Sequence, residues 1–549
     1  MITFSSYLTR RCLNGSACLL IVFFIGLICG GCRSHSVRDD YFRYNESAGI
    51  ATLDPAFSKS LPVIWPVRQL YNTLLETDAT LSLKPSLAQS WTIDADQKTI
   101  RFFLRHDVYF HDDPCFPNGR GRKMVASDVE YSFQRLISKE LASPGAWIFQ
   151  DMLDTTKPFV AVNDSVFEIH LNKPFSPMLQ VITNPYCSVV PREAVQRYGK
   201  SFGRHPVGTG PFRLLVWKEG VSLVMTRHSR YFERDSAGQP LPYLPGISIS
   251  FLGSRASEYL AFQQGLIDFI NDPDPAFKDE LIDPMGSLKK EWSQRARLIK
   301  HPYLNTEYVA FLMTEPEKNK TSALFPLALR KAIAHAIDKK RIIQHLRNNM
   351  GIPADQGFIP PDLMGTASES VTSGFDTVWA KKILRGAGYG IKEPIPEIIL
   401  STVPAYASIG SRIVYDLQQV GIPARLDVLQ KSFLLDQMAS GHLSFFRGSW
   451  IADYPDALNF FSVFYSKNPA PPNYTRFHDA DFDRLYEQAL GTTDRQQRQA
   501  CLQQLNQLIE QQVPVVPIWY DQVIWVCQRS LSGFIPNAQN VLDLRRVKK

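Results

Sequence analysis

The chain has 549 residues, of which 44% are apolar and 21% charged, a globular composition that argues against an intrinsically disordered protein. Its formal net charge is only +7, with lysines and arginines interspersed among acids. Because no basic stripe is present, the sequence also argues against nucleic-acid binding. A chain of this length is expected to form two or three domains.

The N-terminal segment has the layout of a signal peptide. Arg10 and Arg11 form a basic start, and an apolar stretch follows over 19–28. This stretch is much shorter than the ~20 residues that a transmembrane helix needs. The pattern therefore predicts an export signal over 1–31, which is removed from the mature chain.

The signal ends in a motif that suggests lipidation. Residues 29–32 read Cys-Gly-Gly-Cys, and small residues immediately before a cysteine resemble a bacterial lipobox. Cys29 departs from that motif, which usually has Leu there. We predict that Cys32 carries a lipid that tethers the exported chain to a membrane surface. The alternative is an ordinary cleaved signal without a lipid.

Short strands and one helix start are legible in the first third of the mature chain. Apolar β-formers predict strands over 100–104 and 166–171, and alternation marks the second as half-buried. Ser127 and Glu130 have capping-box spacing and predict a helix that begins there, with its apolar face over 131–136.

Further along the chain, helices are followed by strands after a short turn. We predict three such units: helix 259–264 with strand 266–270, helix 411–420 with strand 423–428, and helix 493–512 with strand 513–519. Gly265 and Gly421 close the first two helices. Helices alternating with strands indicate mixed α/β sheets.

Several motifs occur in a fixed order along the mature chain. They lie at 87–91, 102–113, 126–133, 206–212, 329–338, 380–389 and 449–456. Together they resemble the family 5 extracellular solute-binding proteins, the oligopeptide, dipeptide and nickel receptors of ABC importers. Each motif alone is weakly specific, but their shared order covers nearly the whole mature chain.

The resemblance implies an α/β, bilobal periplasmic-binding-protein-like fold (type II, cluster C) with an extra accessory domain. The predicted domains are a discontinuous lobe I of 32–73, 203–300 and 515–549, an accessory domain of 74–202, and a lobe II of 301–514. Two crossings between the lobes would form a hinge, and the ligand would lie in the cleft between them.

The resemblance also implies ligand-binding residues. Asp453, near Trp450 on a loop that ends in proline, would pair with the α-amino group of a peptide, because charge-assisted hydrogen bonds are strong. Arg447 corresponds to a position that meets the ligand's carboxylate, for which a planar guanidinium is suited. Trp147 corresponds to an aromatic residue that faces the ligand. The structural alternatives are core or surface packing for the tryptophans and a solvated strand position for Arg447.

Two glycines and three consecutive polar residues are open to more than one interpretation. Gly208 and Gly210 resemble the family's glycine-rich crossing between lobes and are candidate hinge residues, or they are turn glycines. Residues 111–113 read His-Asp-Asp, which could suggest a metal site. A solvated turn is the simpler interpretation, and we predict neither a metal nor a cofactor.

Four cysteines remain after Cys32. They are Cys115, Cys187, Cys501 and Cys527. In an exported chain they could form two disulfides with three alternative pairings, or remain buried free thiols.

The expected function is that of a membrane-anchored lipoprotein of the periplasm or cell envelope. It would bind short peptides as a monomer and deliver them to the ABC permease in the inner membrane. The alternatives are another cargo (nickel chelate, haem, glutathione or a murein peptide) or a non-transporting surface lipoprotein that binds other proteins. An enzyme is not expected, because the sequence contains no recognisable nucleophile–base, P-loop or metalloprotease motif.

Overall fold

The computed structural model describes residues 40–273, 275–314, 326–364, 374–390 and 394–549. The predicted signal peptide and the lipidation site at Cys32 lie outside these residues. None of the helices in the described ranges is both long and apolar enough to cross a membrane.

The described strands form one large sheet and two small ones. In chain order they are β1 Phe42–Asn45, β2 Leu75–Thr77, β3 Leu83–Pro85, β4 Ala88–Ile93, β5 Thr99–Leu104, β6 Phe159–Asn163, β7 Val166–His170, β8 Phe212–Lys218, β9 Ser222–Arg227, β10 Gly246–Ser250, β11 Phe269–Asn271, β12 Ala296–Phe311, β13 Ile352–Pro353, β14 Ile398–Thr402, β15 Ala424–Val428, β16 Phe445–Ile451 and β17 Val515–Gln528.

The α-helices pack around these sheets. They are α1 Leu61–Leu70, α2 Ala126–Leu136, α3 Met178–Val181, α4 Arg192–Tyr198, α5 Arg255–Gln263, α6 Pro275–Leu281, α7 Leu327–Ala336, α8 Lys339–Leu346, α9 Pro361–Met364, α10 Thr377–Gly386, α11 Ala407–Gln419, α12 Lys431–Ser440, α13 Ala457–Phe461, α14 Ala480–Gly491 and α15 Arg495–Gln512.

The large sheet is mixed, with the order β15-β14-β16-β12-β17-β11-β1-β10-β9-β8 and β13 paired to β17. Its centre is the long antiparallel pair β12–β17. One end of β12 pairs with 522–528 and the other end with 515–520. The register shifts between Pro302 and Thr306, so the pair is irregular in its middle. A separate four-stranded sheet has the order β4-β5-β7-β6.

The hydrophobic core divides along the β12–β17 pair. One core is built from residues between 42 and 269 together with Tyr454 and 523–547, and a smaller one from residues between 259 and 296 with Met350, Ile524 and Val526. Two others are built from residues between 308 and 519. We call the first body, which includes the four-stranded sheet, the first lobe and the second body the second lobe. β12 and β17 run through both, which makes them the connections between the lobes.

Several elements agree with the sequence prediction and others differ at their ends. β5, β7 and β15 lie where strands were predicted, and Gly265 and Gly421 both have a positive φ after their helices. The capping residue of α2 is Val125 and not Ser127, although the Asp128 carboxylate does accept a hydrogen bond from the Val125 N–H at 2.9 Å. The predicted strand 513–519 is the first part of the much longer β17.

Candidate functional site

Asp453 lies two residues after β16, on the loop that leads to α13. Its side chain is exposed to solvent. The protein that surrounds it nevertheless raises its pKa through desolvation, against a smaller effect of a hydrogen bond from Asn459. A carboxylate that is open to solvent on one side and surrounded by protein on the others is typical of a residue on the wall of a cleft.

Asn459, on α13, orients the groups around this carboxylate. Its buried side chain donates from Nδ2 to Oδ2 of Asp453 at 3.4 Å, and its Oδ1 accepts from the Asp453 N–H at 3.2 Å. The same Oδ1 accepts from Nε1 of Trp450 at 3.0 Å. One buried amide therefore fixes two predicted ligand-binding residues, Trp450 in β16 and Asp453 on the loop that follows. The sequence analysis missed Asn459, because no pattern distinguishes it from other helix asparagines.

The first lobe supplies the opposite wall. Nδ2 of Asn184 donates to the backbone carbonyl of Asp453 at 3.1 Å. The ring of Trp147 lies parallel to that of Tyr454, with centroids 6.4 Å apart and planes at 27°. Burial and, secondarily, Asp453 raise the pKa of Tyr186 to about 12. Thus the structure brings Trp147 next to the segment that carries Trp450 and Asp453, which is distant from it in the sequence.

The charge of Asp453 is not balanced by a cation. Within the described ranges no Lys, Arg or His nitrogen lies within 4.0 Å of its carboxylate, whereas many other acids of the molecule are in such ion pairs. Nearby Asp456 shows the contrast, because Arg498 holds it with bonds of 2.6 and 2.7 Å. The loop therefore presents one negative charge to the cleft.

Arg447 lies on β16, but its charge is already paired. Its Nη2 donates to Oε2 of the buried Glu307, and its Cζ lies 3.6 Å from the centre of the Tyr406 ring. Neither Glu307 nor Tyr406 was singled out by the sequence analysis. The role predicted for Arg447, capture of a ligand carboxylate, would require competition with Glu307.

Gly208 and Gly210 lie between the end of α1 and His111, a residue of the predicted accessory domain. A Cβ on Gly208 would lie 2.1 Å from the carbonyl oxygen of Leu70, and one on Gly210 would lie 2.4 Å from the carbonyl carbon of the same residue. Neither glycine has a positive φ. Close backbone approach accounts for both glycines, and their hinge role stays a prediction.

Both ring nitrogens of His111 are bonded to backbone groups of this segment. The Gly208 N–H donates to its Nδ1 at 3.3 Å, so its proton is on Nε2, which donates to the Gly210 carbonyl at 3.0 Å. Asp112 and Asp113 accept hydrogen bonds from backbone N–H groups of the following turn. In the part of the chain that the structure describes, no cluster of three His, Cys, Asp or Glu side chains could hold a metal.

Comparison with known proteins identifies the family. Residues 82–472 match the model of the bacterial extracellular solute-binding proteins, family 5. The chain belongs to this family. Its mixed α/β architecture is the family 5 fold of periplasmic binding proteins, as the sequence predicted.

Curated relatives cover most of this family 5 protein. Heme-binding protein A of Haemophilus influenzae is 26% identical over 82% of this chain and 81% of its own. The periplasmic oligopeptide-binding protein OppA of Escherichia coli is 24% identical over 87% and 86%. Both relatives are named for a ligand that they bind.

Solved structures show the same fold at lower identity. The periplasmic murein tripeptide-binding protein MppA, in its unliganded open form, has a TM-score of 0.78 at 22% identity, covering 93% of this chain and 98% of its own. The structure of HbpA2 from Haemophilus parasuis has a TM-score of 0.78 at 22% identity and covers 92% and 99%.

The four cysteines of this solute-binding protein are free thiols. Cys187 and Cys527 belong to the core of the first lobe and Cys501 to a core of the second. Of the two alternatives left by the sequence, disulfides or buried thiols, the structure has the thiols, although Cys115 is only partly buried. Desolvation raises the pKa of each of them, so they are poor nucleophiles.

Proposed function

We propose that this protein binds short peptides outside the cytoplasm and delivers them to an ABC-type import permease. The observation that carries the proposal is the carboxylate of Asp453, which has no cationic partner among the described residues, is held by Asn459 and is flanked by Trp450 and Trp147. A peptide brings an ammonium group that can pair with this charge. Its remaining polar groups are common to all peptides, so a water-lined cleft can accept many sequences.

Haem is a second candidate cargo, because one relative is named for it. The propionates of haem are negatively charged, as is Asp453, and like charges close together are unfavourable. The charge of the cleft therefore favours a ligand with a cationic end. Nickel chelates, glutathione and murein peptides stay alternatives that the same binding screen covers.

The binding test compares wild type with Asp453→Asn. In a thermal-shift screen of di- to pentapeptides, a ligand at ~100 times its Kd should stabilise the fold by about 2.7 kcal/mol. Asp453→Asn keeps the size of the side chain but removes its charge, and we expect at least about a tenfold loss of affinity for free peptides. N-acetylated peptides, which lack the ammonium, should bind wild type weakly and lose little more in the variant.

Asp481→Asn is the matched control, since it removes an exposed acid of α14 in the same lobe. It should leave peptide binding unchanged. If haemin shifts the melting temperature and no peptide does, the peptide cargo is wrong. If Asp453→Asn binds free peptides as well as wild type does, Asp453 is not in the site.

We also propose that Cys32 carries a lipid anchor after removal of residues 1–31. The basis is the sequence motif alone. Cys32→Ala should release the protein from membranes, because the acyl chains supply the anchoring apolar surface. Fractionation after labelling with a fatty-acid analogue measures this, and unchanged labelling in the variant would exclude lipidation at this residue.

A further inference from the structure

Arg447 and Glu307 form an ion pair on the large sheet. They lie on the neighbouring antiparallel strands β16 and β12, where Arg447 is opposite Val309 and Glu307 is opposite Ser449. The side chain of Glu307 is 3% exposed and that of Arg447 is 20% exposed. Because the pair is set by strand register, it is present before any ligand binds.

The guanidinium of Arg447 has little freedom to leave Glu307. Its Nε is buried, and its flat face lies 3.6 Å from the centre of the Tyr406 ring. Tyr406 in turn stacks on Trp519, with ring centroids 6.3 Å apart and planes at 15°. A ligand could therefore reach only the terminal nitrogens of Arg447, one of which is already bonded to Glu307.

A second arginine on the other side of this stack is also paired. Arg347 lies 4.6 Å from the centre of the Trp519 ring and donates to Asp521 at 2.7 Å. Two cations and two anions thus surround the Tyr406–Trp519 stack, and their charges cancel. Asp453, by contrast, has no such partner among the described residues.

A ligand carboxylate could bind both terminal nitrogens of Arg447, as a bidentate pair, only by displacing Glu307 from Nη2. That would leave a carboxylate unpaired in a site where burial already raises the pKa of Glu307, against the favourable charge of Arg447. Leaving one member of a buried charge pair without its partner is strongly unfavourable. Displacing Glu307 therefore forms one ion pair, between Arg447 and the ligand, and breaks another, between Arg447 and Glu307, that is better shielded from water.

We propose that Glu307 determines ligand specificity by neutralising Arg447, so that the cleft recognises the ammonium end of a peptide and does not require a free carboxylate at the other end. This inference rests on the proposed peptide-binding function. It assigns Arg447 a structural pairing role in place of the carboxylate-binding role that the sequence suggested. Peptide amides and peptides extended at the C-terminus belong to the accepted class.

The test uses tri- and tetra-alanine, each as the free acid and as the C-terminal amide, with Kd measured by calorimetry. Wild type should bind acid and amide within about threefold of each other. Glu307→Gln keeps the size of the side chain but releases the charge of Arg447, so this variant should prefer the free acid by about tenfold or more. The double variant Glu307→Gln with Arg447→Gln should lose that preference, which shows that Arg447 produces it.

Two outcomes overturn the inference while leaving peptide binding intact. One is a wild type that prefers the free acid by about tenfold and loses this preference in Arg447→Gln. The other is a folded Glu307→Gln that binds acid and amide equally. If Glu307→Gln does not fold, the wild-type comparison of acid and amide still decides. If wild type binds none of these peptides, the proposed function fails and this inference fails with it.

Discussion

Two junctions join residues 74–202, which we call the accessory residues, to the rest of the molecule, and they are built from different groups of atoms. We call the first the accessory junction. There the backbone N–H of His111, an accessory residue, donates to the Gly208 carbonyl at 2.8 Å, and Gly208 and Gly210 in turn lie directly on the backbone of Leu70 at the end of α1. Two buried imidazoles, His111 and His228, meet the carbonyl of Gly210 at 3.0 and 3.2 Å.

The second junction, the cleft contact, joins the accessory residues to the second lobe mainly through side chains. Asn184 bonds to the backbone of Asp453, and Trp147 stacks on Tyr454. Ser176 accepts from Nε of Arg498 at 3.2 Å and donates from Oγ to the Ala489 carbonyl at 2.9 Å. Several of these groups are partly exposed, so water can replace their partners when the contact separates.

The difference indicates which junction is permanent. Backbone groups packed at contact distance have a single arrangement, and separating them would leave buried polar groups unpaired. Exposed side-chain hydrogen bonds exchange with water at a small net cost. We therefore expect the accessory residues to stay fixed to α1 and to separate from the second lobe during cleft opening.

The largest expected effect is that of Gly208→Ala. The added Cβ would lie 2.1 Å from the Leu70 carbonyl oxygen, a backbone atom that cannot move without disrupting the end of α1. We expect a loss of at least about 3 kcal/mol of stability, measured by chemical unfolding. Gly253→Ala is the control, because a Cβ there meets no atom within 4 Å. If Gly208 is instead a hinge residue, the substitution will change cleft closure while leaving stability nearly unaltered.

The next effect is a loss of stability in mild acid. Burial lowers the pKa of His228 from 6.5 to about 4, and it lowers the pKa of His111 as well, with His228 as the second cause. Nearby Arg213 and Arg230 oppose protonation of His228, and Asp112 favours it. The unfolded chain thus binds more protons than the folded chain between pH 6.5 and 4, so stability falls as the pH falls through this window.

His228 alone should contribute about 3 kcal/mol to this loss. His228→Asn is the informative variant, since the Asn amide can still donate to the Gly210 carbonyl but does not titrate. Its free energy of unfolding, measured by urea titration from pH 7 to pH 4, should depend on pH less steeply than that of wild type. Parallel curves for the two proteins would show that His228 does not titrate in this window.

The sequence predicted the elements whose signals are local. Gly421 ends α11 with a φ of +88°, a conformation for which glycine is suited, and β5 and β7 follow from runs of apolar β-formers. The family resemblance then placed Asp453, Trp450 and Trp147 in one site, and the structure brings Trp147 next to the segment that carries the other two.

The contacts that could not be predicted from the sequence depend on strand register and long-range packing. Glu307 and Arg447 are 140 residues apart, and their contact follows from the alignment of β12 with β16. Asn459 is buried by the packing of α13, and no periodic pattern in the sequence indicates it. The sequence singles out Gly208 and Gly210. Whether each glycine allows a hinge motion or the close packing of two backbone segments depends on the segment that contacts it, which the sequence does not show.

The smallest expected effect is that of Ser176→Ala in the cleft contact. The variant loses the hydroxyl that bonds to Ala489 and Arg498, while the backbone bond from Ser176 N–H to the Leu490 carbonyl, at 2.8 Å, remains. Because water can replace the lost partners, stability should fall by less than about 1 kcal/mol. The lobes should nevertheless separate more often, which small-angle scattering of the unliganded protein would detect as a larger radius of gyration. Ser138→Ala, which removes an exposed hydroxyl of the first lobe, is the control and should change neither quantity. A loss of stability as large as that of Gly208→Ala, with an unchanged radius, would mean that both junctions are equally part of the folded core and that the cleft opens elsewhere.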